Sequence, residues 1–456
     1  MNRKLTNPLD ITWIRSKIAQ YVTLRDALSC ILVCKDWFED FIPSIWHTID
    51  FKTQEKFTRL ASEVISEHGH HIRVIKNLQS SLQLQCIQNS KVCKLRDLSI
   101  VVGSKPHYSA HCYDIMRRNN ASLTSIRVSA SQGSNTDMYF SIDPLFMGLS
   151  SSKLTYIKAD SLTMTRDAFS SMLRMTPLLN TIDVRNTTLS SIPSTEIYQH
   201  PNVTTLVSPI KQVFSVDPQV PDSPSILRHF PNIAFWRTWD ARTNNARTAL
   251  DVSAHTIESE ISQNCPLLVG IDTEYVGAHS VDLLTKCFEG LKSICVLHSQ
   301  FSTELIMAIL SHQETLESVS TYTMSDGIYE SGEIPNINNH FQEKDWVIQM
   351  IPRSCSRLTS FKFMYHQMNM CDIGSSRWSC VELEYLHTRI AGLDTKEKIN
   401  RAIQLWVEGR SRVKEVSTAP TTDHYGLPLE ERVARHLLKF KKLKEVWLGT
   451  EIRRVG

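Results

Sequence analysis

Residues 291–319 read LKSICVLHSQFSTELIMAILSHQETLESV, and this stretch decides the fold. It opens with Leu291-Lys-Ser-Ile294 and Val296. That spacing, apolar-x-x-apolar-x-apolar, fits a short half-buried strand. Ser302 can then cap a helix, because a serine oxygen can accept an orphan amide of the first turn. The run after it carries Leu305, Ile306, Ile309 and Leu310 at helical spacing. Leu316-Glu-Ser-Val319 repeats the strand unit about 25 residues after the first. A strand and a helix at this period cannot bury an apolar face alone, so neighbouring units must stack.

The unit recurs on both sides. It begins at Ile72, Leu95, Leu123, Leu154, Leu179, Val203, Ile233 and Leu268 before this stretch, and at Leu358, Leu383 and Leu443 after it. Further helical runs lie at Thr165 to Arg174 and Ser280 to Phe288. The pattern resembles a degenerate leucine-rich repeat. The asparagine that would turn the chain after each strand is mostly absent, and polar or proline-rich inserts interrupt the period near 214–226, 322–345 and 410–428. The resemblance implies an α/β fold: an irregular solenoid over residues 52–456 with a curved parallel sheet. A run of unrelated βα units in an ordinary α/β domain is the alternative. Gly456 follows the last repeat strand closely, which leaves the array either ending abruptly or truncated.

Composition fits a chain with a sizeable core. Its 456 residues are 41% hydrophobic and 21% charged, with a net charge of +3. So small a charge does not by itself point to a polyanion. The eleven cysteines are odd in number and scattered, which suits reduced thiols in cytosol or nucleus better than a disulfide framework. The amino terminus carries no apolar secretory stretch, and no apolar run approaches the roughly 18 residues of a membrane span.

Residues 10–46, DITWIRSKIAQYVTLRDALSCILVCKDWFEDFIPSIW, read as three short helices. Thr23 with Asp26 marks a helix start. Apolar residues are too many for a segment this short to bury alone. Ile18-Ala-Gln-Tyr21-Val22, Asp26-Ala-Leu28 and Val33-Cys34-Lys35-Asp36-Trp37 resemble, in order and spacing, an F-box, of the type found in large fungal F-box families. The proline and acid that usually open that motif are replaced around Thr12 and Trp13. Residues 377–386 and 433–449 resemble the closing repeats of the same families. The resemblance implies an F-box over residues 1–51 that binds a Skp-type adaptor through Ile14, Ile18, Tyr21, Val22, Leu28, Val33 and Trp37. Spacing alone does not divide these between the docking surface and the helices' own interior. Through the adaptor the chain would join a cullin–RING ligase as its substrate receptor, with no catalytic site or cofactor of its own. The alternatives are a helical cap on an interaction scaffold, or an enzyme with an unrecognised site.

In such a solenoid the residues between the apolar strand positions point outward. They nominate a concave target-binding face that includes Tyr156, Lys158, Asp183, Arg185, Phe235, Arg237, Trp239, Asp272 and Glu274. Aromatic and arginine side chains are frequent interface hot spots, and mixed charge suits a protein target better than nucleic acid. Other constellations read as structural. His68, His70 and His71 lack a cysteine or carboxylate at ligand spacing, Cys371 and Cys380 are too far apart for a zinc knuckle, and Lys439, Lys441, Lys442 and Lys444 fit a solvated helix end.

Overall fold

The computed structural model describes residues 8–52, 61–102, 107–130, 153–160, 162–184, 187–189, 197–208, 225–238, 261, 263–273, 281, 284–285, 290–297, 302–322, 345–369, 378–413, 427–449 and 451–454. Most of the three inserts, and most of the helical run from Ser280, lie outside these residues. The chain is mixed α/β and divides between Pro231 and Asn232 into two compact units.

The first unit opens with three helices, α1 (Thr12–Ile18), α2 (Leu24–Cys30) and α3 (Lys35–Ile45). Thr23 caps α2 by accepting the Asp26 amide at 3.3 Å, as the Thr–Asp spacing predicts. Ala19, Ala27 and Phe41 form the centre of a small core, with Ile18, Val22, Cys30, Ile31, Trp37 and Ile45 packed against it. The Trp37 and Phe41 rings stack at 5.3 Å. One polar contact joins α1 to α3: Arg15 Nε donates to Asp40 Oδ2 at 2.5 Å, both side chains nearly buried.

Strands β1 (Thr48–Asp50), β2 (Val74–Leu78), β3 (Asp97–Val102), β4 (Ser125–Ala130) and β5 (Tyr156–Asp160) follow, then Thr181–Asp183 and Thr205–Ser208. Each pairs in parallel with the next. The second unit continues with Phe235–Thr238, Gly270–Thr273, Ser293–Leu297, Ser318–Tyr322, Ser360–Met368, Tyr385–Ile390 and Glu445–Leu448, again each parallel to its neighbour.

Every apolar-x-x-apolar unit of the sequence ends inside one of these strands, its second apolar residue at the strand's second position. Those residues line up across the sheet. Ile75, Leu98, Ile126, Ile157, Ile182 and Leu206 are in register in the first unit. Trp236, Ile271, Ile294, Val319, Phe361, Leu386 and Val446 are in register in the second. None is more than 2% exposed. Burying such a side chain stabilises by about 1.5–3 kcal/mol, so the row is the core's spine. Among the described residues four strands lack the motif: Thr163–Met164 and Thr188–Leu189, which pair only with each other, and Thr48–Asp50 and Glu451–Arg454. Thr48–Asp50 lies at the end of the three-helix segment and ties it to β2. Glu451–Arg454 turns back antiparallel on Glu445–Leu448.

The turn that leads into each strand also has a pattern. A buried residue three or four positions before the first apolar one accepts that residue's amide on its carbonyl. Asn119, Thr176, Cys265, His312, Cys355, Cys380 and Phe440 do this. Several also reach back one repeat. The Asn119 Oδ1 accepts the Leu95 amide at 2.9 Å, and the His312 ring accepts the Leu291 amide while donating to the Leu284 carbonyl at 2.8 Å. The Asn119 and His312 side chains satisfy buried backbone groups that would otherwise be costly.

His436 is buried differently. Its ring lies between Trp378 at 4.9 Å and Phe440 at 5.3 Å, and neither ring nitrogen has a hydrogen-bond partner. Burial, with Lys439 nearby, pushes its pKa down to about 3. An unfolded histidine titrates near 6.5, so acid protonates the unfolded state first. The resulting stability is fully present above about pH 6.5 and falls as pH drops toward 3. Between pH 6.5 and 4.5 this one group should remove about 2 kcal/mol. Urea titrations of His436→Phe should show a pH slope reduced by that amount.

Candidate functional site

Two surfaces hold the residues nominated by sequence. The first is the outer face of the three helices. Tyr21, Leu28 and Val33 are exposed, Tyr21 at 85%. Ile14 is half-buried, and Ile18, Val22 and Trp37 are half-buried against the small core. The nominated set therefore divides between surface and interior. The structure adds Leu32, also 85% exposed, with Trp13, Leu24 and Phe38. Among the described residues, nine of the eighteen exposed large apolar side chains fall between Leu9 and Phe38.

Helix α2 explains the crowding. Ala27, Cys30 and Ile31 face the small core, while Leu24 and Leu28, one turn apart, face water. The apolar arc of α2 is thus wider than the core covers. Exposed large apolar side chains concentrated in one short segment fit an interaction surface. Charges stand around it: exposed Lys17, Arg25 and Asp26, and the pair Lys35–Glu39 at 3.9 Å.

The second surface is the outward side of the sheet. In the first unit Arg127 lies over the Tyr156 ring at 5.5 Å, and Lys158 pairs with Asp160 at 3.4 Å. Asp183 is in register with Lys158, yet only 1% exposed. In the second unit Arg237 and Asp272 are in register and form an ion pair. Asp272 extends that link to Cys295, which also hydrogen-bonds Ser320, so a polar chain crosses four strands along one row. Phe235 lies across Gly270, where a Cβ would run into its ring. Small residues, Gly270, Ser293, Ser318 and Ser360, fill the row between Phe235 and Tyr385. Past them, Lys362 sits over the Tyr385 ring at 5.3 Å and His387 bonds Glu445 at 2.8 Å. Arg185, Trp239 and Glu274 lie outside the described residues.

Among the described residues several thiols are held protonated. Burial raises the Cys112, Cys295, Cys355 and Cys380 thiols to about 12, so they carry almost no thiolate at neutral pH. In the native protein a disulfide reagent such as DTNB should label exposed Cys34 and Cys93 at once. Buried Cys112, Cys355 and Cys380 should react only in denaturant, which mass spectrometry can map. Rapid native labelling of Cys112 would contradict its placement. Among the described residues no group of three or more His, Cys, Asp or Glu side chains could hold a metal. The three histidines near residue 70 pack ring on ring, His70 and His71 at 3.8 Å. The basic run near the carboxyl end is partly neutralised, Lys444 by Glu384 at 2.7 Å and Lys442 by Glu382. Among the described residues no helix is long and apolar enough to cross a membrane.

No protein-family model matches this chain, and no curated protein matches it.

Proposed function

We propose that the chain is the substrate-receptor subunit of an SCF-type cullin–RING ubiquitin ligase, working in the cytosol or nucleus. On this reading residues 12–45 are an F-box that docks a Skp-type adaptor. The strand–helix repeats are an irregular leucine-rich solenoid whose outward sheet face holds a protein target. The chain contributes placement, not bond chemistry: tethering raises the effective concentration of target lysines near the charged conjugating enzyme.

The observation that carries the reading is the set of exposed apolar residues on and beside α2, Tyr21, Leu24, Leu28, Leu32 and Val33, within a segment spaced as in an F-box. These side chains supply apolar area that would gain about 25 cal/mol per Å² on docking, less the cost of association. The register of the strands within each unit, and the buried row in each, support a repeat array.

The test is co-expression of the full chain with the Skp-type adaptor of its own organism, followed by size-exclusion chromatography. A stoichiometric complex is expected. A folded chain that elutes alone would remove the receptor reading and leave an interaction scaffold with a helical cap.

A further inference from the structure

The residue just before each strand belongs to a second ladder along the edge where the strands begin. In the first unit the Arg73 amide donates to the His47 carbonyl at 3.0 Å, Arg96 to Arg73 at 2.7 Å, and Thr124 to Arg96 at 2.8 Å. In the second unit Lys292, Glu317, Thr359, Glu384 and Lys444 continue the same arrangement. The two edges differ in charge compensation. In the second unit the cations are paired: Lys292 with Glu317 at 3.2 Å, Arg357 with Glu317 at 3.6 Å, and Lys444 with Glu384 at 2.7 Å.

In the first unit Arg73, Lys94, Arg96 and Lys153 line an open cavity of about 590 Å³ with Ser122 and Thr124. None of the four cations has an ion pair among the described residues. The nearby carboxylate, Asp97, starts β3 beside them and pairs with neither arginine. Arg73 is held in place, one guanidinium nitrogen donating to the His70 carbonyl at 2.8 Å and the Ile72 carbonyl at 3.0 Å. The uncompensated field is felt locally. The His47 pKa is lowered by burial and then by Arg73 and Arg96, against Asp97. His71 is lowered to about 4 by burial, then by His70, His68 and Arg73.

We propose that this strand-start edge of the first unit docks an extended acidic segment of a protein partner, its charge supplied by carboxylates or by phosphate esters. Size supports a peptide. The cations span β2 to β5, three strand spacings or about 14 Å, which four or five residues of extended chain cover. Alternate side chains of such a segment face the same way, so acids two residues apart can reach neighbouring cations; the Ser122 and Thr124 hydroxyls are already donated to the Asn119 and Arg96 carbonyls. That the segment belongs to a ligase target rests on the receptor reading; the surface itself does not.

Fluorescence anisotropy on the full chain, without adaptor, tests it. The probes are three labelled nine-residue peptides of one sequence with glutamate, phosphoserine or serine at two positions two residues apart, and a nine-nucleotide oligothymidylate. Both acidic peptides should bind, the phosphoserine one more tightly, with affinity falling as salt rises. Lys94→Glu with Arg96→Glu, both exposed, should weaken them at least about tenfold without shifting the melting temperature. The proposal is overturned by equal binding of the serine peptide, by undiminished binding to the double variant, by tighter binding of the oligonucleotide, or by no saturable binding of either acidic peptide up to about 1 mM. Failure here leaves the adaptor complex standing, and loss of that complex leaves this surface standing.

Discussion

Tyr21→Asp combined with Leu32→Asp should abolish adaptor binding while the chain melts where the parent does. Both side chains are 85% exposed, so neither supports the interior. Exposed substitutions of this kind usually change stability by less than about 0.5 kcal/mol. At an interface the same change buries an unpaired charge and removes an apolar anchor. Each such loss is worth about 2 kcal/mol or more at a hot spot, and the pair should lower affinity by at least about 100-fold. Ile18 and Trp37 make poorer probes. Both lean on the small core, so a variant there confounds unfolding with lost contact. Binding by biolayer interferometry and melting by circular dichroism separate the two. A double variant that binds like the parent would show that the exposed apolar residues flanking α2 are not the dock.

Asp40→Ala should have the opposite signature, a large loss of stability with no direct contact removed from the outer face. The Asp40 carboxylate receives Arg15 Nε at 2.5 Å and lies near the Ser16 hydroxyl at 3.5 Å. Arg15 also donates to the Leu9 carbonyl at 2.8 Å and reaches the Thr12 hydroxyl. Removing the acid leaves a nearly buried guanidinium without its counter-charge, which costs about 3–5 kcal/mol in comparable pairs. The expected result is a first denaturation step confined to residues 8–46, read by the fluorescence of Trp37 and Trp46. Arg15→Met with Asp40→Leu should recover most of the loss, because an apolar pair of similar volume often replaces a buried ion pair at little cost. If Asp40→Ala unfolds at the parent's denaturant concentration, the contact contributes nothing to the module.

The strand positions were legible because each repeat carries its own signal. Leu291, Ile294 and Val296 fix one strand without reference to distant sequence, and aligning the units gives the register. That alignment also places Arg237 beside Asp272, a pairing between residues 35 positions apart. Thr48–Asp50 and Glu451–Arg454 were not legible. They are three and four residues long and depend on a neighbouring strand, not on an apolar-x-x-apolar unit of their own. The turn anchors were half legible. Cys265, Cys355 and Cys380 each stand three residues before a leucine, but asparagine, threonine, histidine and phenylalanine serve equally well elsewhere, since the site asks for filled volume and a free carbonyl. On the three helices the spacing named the apolar residues without dividing them between surface and interior. Leu24, Ala27, Leu28, Cys30 and Ile31 share one broad apolar arc, so no periodicity separates Leu28, which faces water, from Ile31, which faces the core. Arg15 and Asp40 are 25 residues apart, beyond the reach of any local pattern. The basic edge went unread because Arg73, Lys94, Arg96 and Lys153 come together only when the strands stack.

Hydrogen–deuterium exchange on the full chain, with and without the Skp-type adaptor, tests the central claim most directly. If α1 and α2 dock the adaptor, amides between residues 12 and 33 should slow on binding, while those of the strands from Val74 onward keep their rates. Unchanged exchange across residues 12–33, or protection confined to the sheet, would contradict the account.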